Sequence, residues 1–271
     1  MARKAFEVAS YGVGNKFTFR GMATIGDLHD DVLVEILSHV PAKELVLVCR
    51  LVCRVWKELV DGMHIWKWKC LRERYFKRNW DLFPEDWKKI YFLQPLKRNL
   101  LKNPCAEENF QFWTLDVNGG DEWKIENLPG AQGKTFPNGI VKRYFVTSYG
   151  LCRKSQTIDL VANGLWGKLL DEIQPKIVVS DWYAARHDCG CIYSLAVELL
   201  SEDRTPIRRY KSELVTIPQW SEAKWNQMTH VFEDYGPGVR YVHFSHEGKD
   251  TLFWAGWYGV RVTNSSVTVE P

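Results

Sequence analysis

His187, Asp188, Cys189 and Cys191 put three kinds of metal-ligating side chain into five consecutive residues. A structural zinc site takes about four ligands, usually as C-x₂₋₄-C with a second pair. Here the spacing is C-x-C and no second cluster follows, so the segment reads as a loop with ordinary thiols. A Cys beside a His also raises nucleophilic catalysis, but no local catalytic signature surrounds the pair. The chain has no P-loop, GxGxxG or HExxH pattern. Asn264-Ser265-Ser266 fits the N-glycosylation sequon and reads as a strand end. The chemistry left is binding. Thirteen Trp, 13 Phe and 11 Tyr bring aromatics to 14%, a load that favours packed β-structure and aromatic-lined surfaces. No metal, cofactor or catalytic residue is expected.

Three textures along the chain must position these groups. From about Gly26 to Cys70 the pattern is helical: Val32, Leu33, Ile36, Leu37 and Val40 recur at helical spacing. Pro41 stops that helix. Leu45, Val48, Cys49, Val52, Cys53, Trp56, Leu59 and Val60 continue the period, and Asp61-Gly62 breaks it. Three short helices in about forty residues form a small core, and apolar surface left over needs a partner. From His64 to Asn103, Trp66, Trp68, Trp80, Trp87, Tyr91 and Phe92 are spread among Lys67, Lys69, Arg72, Arg74, Lys77, Arg78, Lys88 and Lys89. Such interleaving occurs in single-strand binders. Without a nucleic-acid fold signature it reads as linking helices with aromatics packed inward.

From Phe110 onward the texture is β. Strands are expected at Phe112–Val117, Val141–Thr147, Gln156–Val161, Lys176–Trp182, Ile192–Leu199, Trp225–Phe232, Arg240–Phe244 and Val260–Val269. Asn118-Gly119-Gly120, Pro137-Asn138-Gly139, Gly236-Pro237-Gly238 and Glu247-Gly248-Lys249-Asp250 read as turns. One short helix is expected near Gly164–Ile173. Many short strands with regular turns predict a sandwich or jelly roll.

Composition bounds the classes. A length of 271 residues suits two domains. A net charge of +3 is too small to demand nucleic acid. No run reaches the roughly 18 apolar residues of a membrane span, and the basic N-terminus lacks the apolar run of a signal peptide. Seven cysteines, several in apolar runs, read as reduced thiols of a cytoplasmic protein.

The run from Asp27 to Pro41 resembles the first half of an F-box. Leu45 to Leu59, with Val52-Cys53-Arg54-Val55-Trp56 inside it, resembles the second, and Ile65-Trp66 stands where F-boxes carry Leu-Trp. The family's usual Leu-Pro at the first helix is Leu28-His29 here, which gives up a proline pre-organised for the first turn. The resemblance continues through Asn103–Glu108, Asp116–Trp123, Lys142–Tyr149, Trp254–Gly259 and Arg261–Ser266, all similar to the F-box-associated domain. From Asp27 to Pro271 the chain looks like the sugar-recognising F-box proteins, the Fbs group.

That resemblance implies an α+β multidomain chain: a flexible extension at 1–21, an F-box at 22–70, a helical linker at 71–109 and an antiparallel, lectin-like, jelly-roll-like sandwich at 110–271. It implies a non-catalytic substrate receptor of a Skp–cullin–F-box ubiquitin ligase. Partners would be the Skp adaptor and, through it, cullin and RING subunits. Leu28, Leu33, Ile36, Leu37, Pro41, Leu45, Val52 and Trp56 would form the F-box core and Skp surface. In the group, loops at one end of a ten-stranded sandwich hold the chitobiose core of high-mannose N-glycans on misfolded glycoproteins. The matching positions are Tyr149, Asp188, Phe253, Trp254 and Ala255. Phe253 and Trp254 offer aromatic faces to the C–H face of a pyranose, and Asp188 offers acceptors to hydroxyl or acetamide groups. Glycan binders of the group carry Tyr where this chain has Phe253, and some carry Lys where it has Ala255. The alternative is therefore an F-box receptor for an unglycosylated protein. No nucleic-acid partner and no membrane span are expected, with an ER-associated cytoplasmic location.

Overall fold

The computed structural model describes residues 25, 28–73, 86–93 and 98–270. The expected extension at 1–21, and Arg74, Lys77, Arg78 and Trp80 of the basic stretch, lie outside them. The chain divides into two compact units, residues 1–69 and 70–271. Among the described residues no helix is long and apolar enough to cross a membrane.

The first unit is helical: α1 (Asp30–Ser38), α2 (Ala42–Leu47), a 3₁₀ turn (Cys49–Leu51), α3 (Arg54–Asp61) and the start of α4 (Met63–Arg72). His29 is the N-cap of α1 rather than a residue of its first turn, and its imidazole accepts from Asp31 N at 3.4 Å. Asp30 and Asp31 complement the helix dipole there. Helix α1 ends at Ser38, and Pro41 caps α2 instead of ending α1. The period continued from Leu45 to Val60 is not one helix, because Val48 (φ −121°) breaks it. Leu33, Val34, Leu37, Leu45, Val60, Ile65 and Trp66 are buried. Trp66 Nε1 donates to Val60 O at 2.8 Å. Lys69, expected on a solvated face, is buried: its ammonium donates to Ser38 O (3.2 Å) and Val40 O (2.9 Å) past the end of α1, where the dipole favours a cation.

Of the stretch expected as a helical linker beyond α4, α5 (Trp87–Leu93) is helical, while residues 98–113 run as bends and turns. Leu93, Leu100, Leu101 and Ala106 belong to the core of the sandwich. Leu100 N even donates to Val267 O at 2.8 Å, tying this segment to the last strand.

Eleven strands follow, in two antiparallel sheets. One orders β1 (Thr114–Asn118), β4 (Cys152–Asp159), β10 (Tyr241–Asp250), β6 (Cys191–Leu200) and β7 (Pro206–Lys211), with β8 (Val215–Ile217) also on β6. The other orders β2 (Lys124–Asn127), β3 (Arg143–Val146), β11 (Arg261–Glu270), β5 (Lys176–Ala184) and β9 (Asn226–Phe232). Ile158, Leu195, Val197, Val242 and Phe244 of the first sheet meet Phe145, Ile177, Val179, Val262 and Val267 of the second in one core. This is a β-sandwich. Strands β2, β7 and β8 were not anticipated; they are short edge or near-edge strands with weak alternation. The expected helix near 164–173 is a π-helical turn at Leu169–Ile173.

One expected turn is wrong. Glu247-Gly248-Lys249-Asp250 continues β10, pairing Gly248 with both Cys152 and Tyr193. A Cβ on Gly248 would run into Ile192 O and the Val260 side chain. The glycine is there for close approach, not for a turn.

Candidate functional site

The strand register gathers five connections at one end of the sandwich. Asn118 pairs with Cys152 and Lys124 with Val146, so the β1–β2 and β3–β4 loops share that end. Arg261 pairs with Val146 and Ala184, and Asp250 with Cys191, which adds the β5–β6 and β10–β11 loops. Ile217 on Cys191 and Asn226 on Tyr183 add the β8–β9 loop. Tyr149, Asp188, Phe253 and Trp254 sit on three of these loops.

The β10–β11 loop is held at both roots. The buried Asp250 carboxylate accepts three backbone N–H groups, from Leu252 (3.1 Å), Phe253 (2.6 Å) and Trp254 (3.2 Å). The buried Arg261 guanidinium donates to the carbonyls of Gly259 (2.5 Å) and Trp257 (2.9 Å). Between them, Asp121 accepts from Gly256 N at 2.6 Å, and its own carbonyl accepts from Trp257 Nε1 at 3.2 Å. The bonds to Asp250 and Arg261 compensate charges buried out of water, and those of the exposed Asp121 tie down the middle of the loop. Together they keep Phe253 in left-handed backbone (φ 58°), a conformation that bulky residues adopt only under constraint.

Phe253 is therefore 74% exposed. Its ring meets Tyr149 edge-on at 4.9 Å, so these two expected site residues come together. Trp254, 41% exposed, stands edge-on to Tyr258 at 5.4 Å. Asp188 is placed differently. Its carboxylate lies 2.7 Å from Arg186 Nε, and the guanidinium lies 4.5 Å from the Tyr258 ring centre. The acceptor expected from Asp188 is thus half of an ion pair, linked to Trp254 through Arg186 and Tyr258. Ala255 is exposed beside them.

Sequence reasoning missed Asp121, Arg186, Asp250, Tyr258 and Arg261. Asp250 carried a usable signal: an Asp followed by a polar-to-aromatic loop is a residue that bonds backbone ahead of it. Asp121 gave none, because its partners Gly256 and Trp257 lie more than a hundred residues away, and Arg186, Tyr258 and Arg261 gave none because their contacts, though partly local, depend on how the loop folds.

The remaining chemistry-bearing residues do not converge. His187 faces Trp220, with ring centres 6.5 Å apart. Burial pushes the thiols of Cys189 and Cys191 up to about 11 and about 12, so both are neutral thiols at neutral pH. All seven cysteines are free. Among the described residues no three of His, Cys, Asp and Glu gather as for a metal ion. Asn264 has a left-handed backbone within β11, where Thr263 and Ser266 flank a register shift.

In the helical unit the eight expected residues divide by face. Leu33, Leu37 and Leu45 are buried, Trp56 is half-buried, and Leu28, Ile36, Pro41 and Val52 are exposed. With Val32, Leu47, Val48, Leu51 and Val55, the exposed ones amount to far more apolar side chain than scattered surface residues explain.

Two family profiles match. One described as "F-box domain" covers residues 25–68, and one described as "F-box associated region" covers 91–269. Human F-box only protein 6 is 54% identical over 248 residues, spanning 92% of this chain and 85% of that protein. Human F-box only protein 44 is 54% identical over 250 residues, spanning 92% and 98%. Bovine F-box only protein 2 is 47% identical over 255 residues, spanning 92% and 85%.

Proposed function

The chain belongs to the Fbs group of F-box-only proteins, in which an F-box precedes an F-box-associated region, and from this premise we propose that it is the substrate-recognition subunit of a Skp–cullin–F-box ubiquitin ligase. Its substrates, on this reading, are misfolded glycoproteins returned to the cytoplasm, held by the chitobiose core of their high-mannose N-glycans for ubiquitination and ER-associated degradation. The observation that carries the glycan reading is the pair of exposed rings, Phe253 and Trp254, on a loop fixed by Asp250 and Arg261.

An apolar ring face meets the C–H face of a pyranose, and a pre-fixed loop loses little entropy on binding. Phe253 supplies that face without the hydroxyl a tyrosine would add. Tyr149 forms the adjoining wall, and the Arg186–Asp188 pair offers donors and acceptors to sugar hydroxyls. The exposed apolar residues of the helical unit dock the Skp adaptor, which brings cullin and RING subunits. The chain's role is proximity: it raises the effective concentration of substrate lysines near the conjugating enzyme. No catalytic residue, cofactor, metal or nucleic acid enters this reading.

The test is capture of free chitobiose and of a high-mannose glycoprotein by the full chain in complex with its adaptor. Trp254→Ala should reduce both by about tenfold or more while adaptor binding is unchanged. Capture that persists in the variant, or survives enzymatic removal of the glycan, would sink the glycan reading in favour of a protein-directed receptor.

A further inference from the structure

Trp220 repeats the two unusual features of Phe253. It is 72% exposed, and its backbone is left-handed (φ 63°). Among the described residues, these two are the most exposed aromatic side chains. Phe112 is also left-handed, but it precedes β1 at the opposite end, with the Lys102 ammonium 5.2 Å from its ring. A bulky residue in this backbone region is strained, and strain of this kind collects where a ligand is clamped.

Trp220 belongs to the β8–β9 loop, at the same end as Phe253. That loop is fastened to the next one, since Gln219 Nε2 donates to Asp188 O at 3.0 Å. Gly190 lies against it: a Cβ there would meet Ile217 O at 2.8 Å and Gln219 N at 3.0 Å. From Asp188 a continuous set of contacts runs through Arg186 and Tyr258 to Trp254. Two aromatic platforms thus flank one ion pair. The β8–β9 loop also borders a cleft of about 360 Å³, lined in part by Thr216, Ser221, Glu222 and Asn226. These hydroxyl, carboxylate and amide groups stand among apolar Tyr183, Ala185, Val215, Ile217 and Pro218, so the cleft offers a pyranose both hydrogen-bond partners and apolar surface.

We propose that Trp220 is a second stacking platform, which holds a mannose of the same glycan beyond the chitobiose gripped by Phe253 and Trp254. The inference rests on the glycan reading above. It deepens the substrate class from a disaccharide to an extended oligosaccharide, with Trp220 as the residue that measures length.

The experiment is calorimetric titration of the full chain, in complex with its adaptor, with free chitobiose and with a free high-mannose oligosaccharide released from protein. Wild type is expected to bind the oligosaccharide more tightly than chitobiose. Trp220→Ala should lower oligosaccharide affinity about tenfold and leave chitobiose affinity within about twofold. Trp220→Phe, which keeps a ring, should retain most of the difference. An exposed residue is replaced, so the fold is not at risk. An alanine variant that binds both ligands as wild type does, or loses both equally, overturns the platform while Trp254→Ala still reports on the primary site. The free sugar excludes a contact between Trp220 and substrate polypeptide from producing the expected result. Failure of wild type to bind either ligand overturns the glycan reading and this inference together.

Discussion

Asp250 shows how one buried carboxylate shapes a surface. It makes no contact with a ligand in the proposed site, yet it fixes three consecutive N–H groups at the root of the loop that exposes Phe253 and Trp254. Substitution by Ala strands those donors and frees the left-handed backbone at Phe253. Glycan affinity is expected to fall by about 10–100-fold in Asp250→Ala, measured by titration, with circular dichroism of the sandwich retained. Affinity equal to wild type would mean that the loop is held without Asp250. The residues expected to touch sugar were legible because the resemblance carried them position by position. Their supporting partners were not, since Arg261, Asp121 and Arg186 act through folded geometry and not through local pattern.

At the level of elements, the helical unit separates core from partner surface along a single helix. Helix α1 buries Leu33, Val34 and Leu37 while Val32 and Ile36 face outward. Periodicity announced the helix, but both faces are apolar, so spacing alone did not say which side was which. An acidic residue on the outward side should abolish adaptor binding without unfolding the unit. Ile36→Glu, at a residue 41% exposed, is expected to eliminate co-purification of the adaptor and to leave the thermal unfolding midpoint within about 2 °C. Leu37→Glu, on the buried side, should instead unfold the helices; equal behaviour of the two variants would contradict the assignment of faces. Among the strands, those with strict alternation were found from sequence, and β10 alternates over its full length. The composition Glu-Gly-Lys-Asp at its end is locally turn-like. Only the neighbouring Ile192 carbonyl and Val260 side chain explain why glycine stands inside a strand there.

The sandwich as a whole encloses a polar cluster drawn from both sheets. Asp181 accepts from Tyr193 OH (2.6 Å), Ser265 Oγ (2.7 Å) and His246 Nδ1 (2.6 Å), an arrangement that makes Nδ1–H the protonated ring nitrogen of His246. Lys154 is fully buried beside it, with its ammonium 3.2 Å from the Trp113 ring centre and 3.9 Å from that of Phe145. Burial drives the Lys154 pKa well below its ordinary 10.5, and the Asp181 charge pulls it partly back. Burial and the Lys154 charge lower His246, against the pull of Asp181.

Both shifts have the same sign for stability. Between its depressed native pKa and about pH 10.5 the unfolded chain binds the Lys154 proton more strongly than the native state, so the Lys154 contribution to stability rises with pH across that window. Below about pH 6.5 the unfolded chain also takes up a proton at His246 that the fold resists, and stability falls as pH drops further. Lys154→Met removes the buried amine while Asp181 keeps its hydrogen-bond donors. It should raise the melting temperature at neutral pH by about 2–4 °C and flatten the Lys154-linked rise of stability with pH on the approach to pH 10.5. A variant that melts lower, with the slope unchanged, would show that the ammonium is retained and stabilising in the core.

The sequence by itself determined the two-part chain, the helical and β textures, the family, and the aromatic residues offered at the end of the sandwich, because these depend on periodicity and on long runs of irregular residues. Tertiary structure alone decided which apolar faces of the helices stay outside and that β10 runs through Gly248. It also decided that Asp188 pairs with Arg186, that Lys69 and Lys154 are buried, and that Trp220 stands at the same end as Phe253. The Asp188–Arg186 pair is local but is set by how its loop folds; the others depend on groups far apart in the chain, and a local pattern carries no record of which distant neighbour will occupy the space beside it.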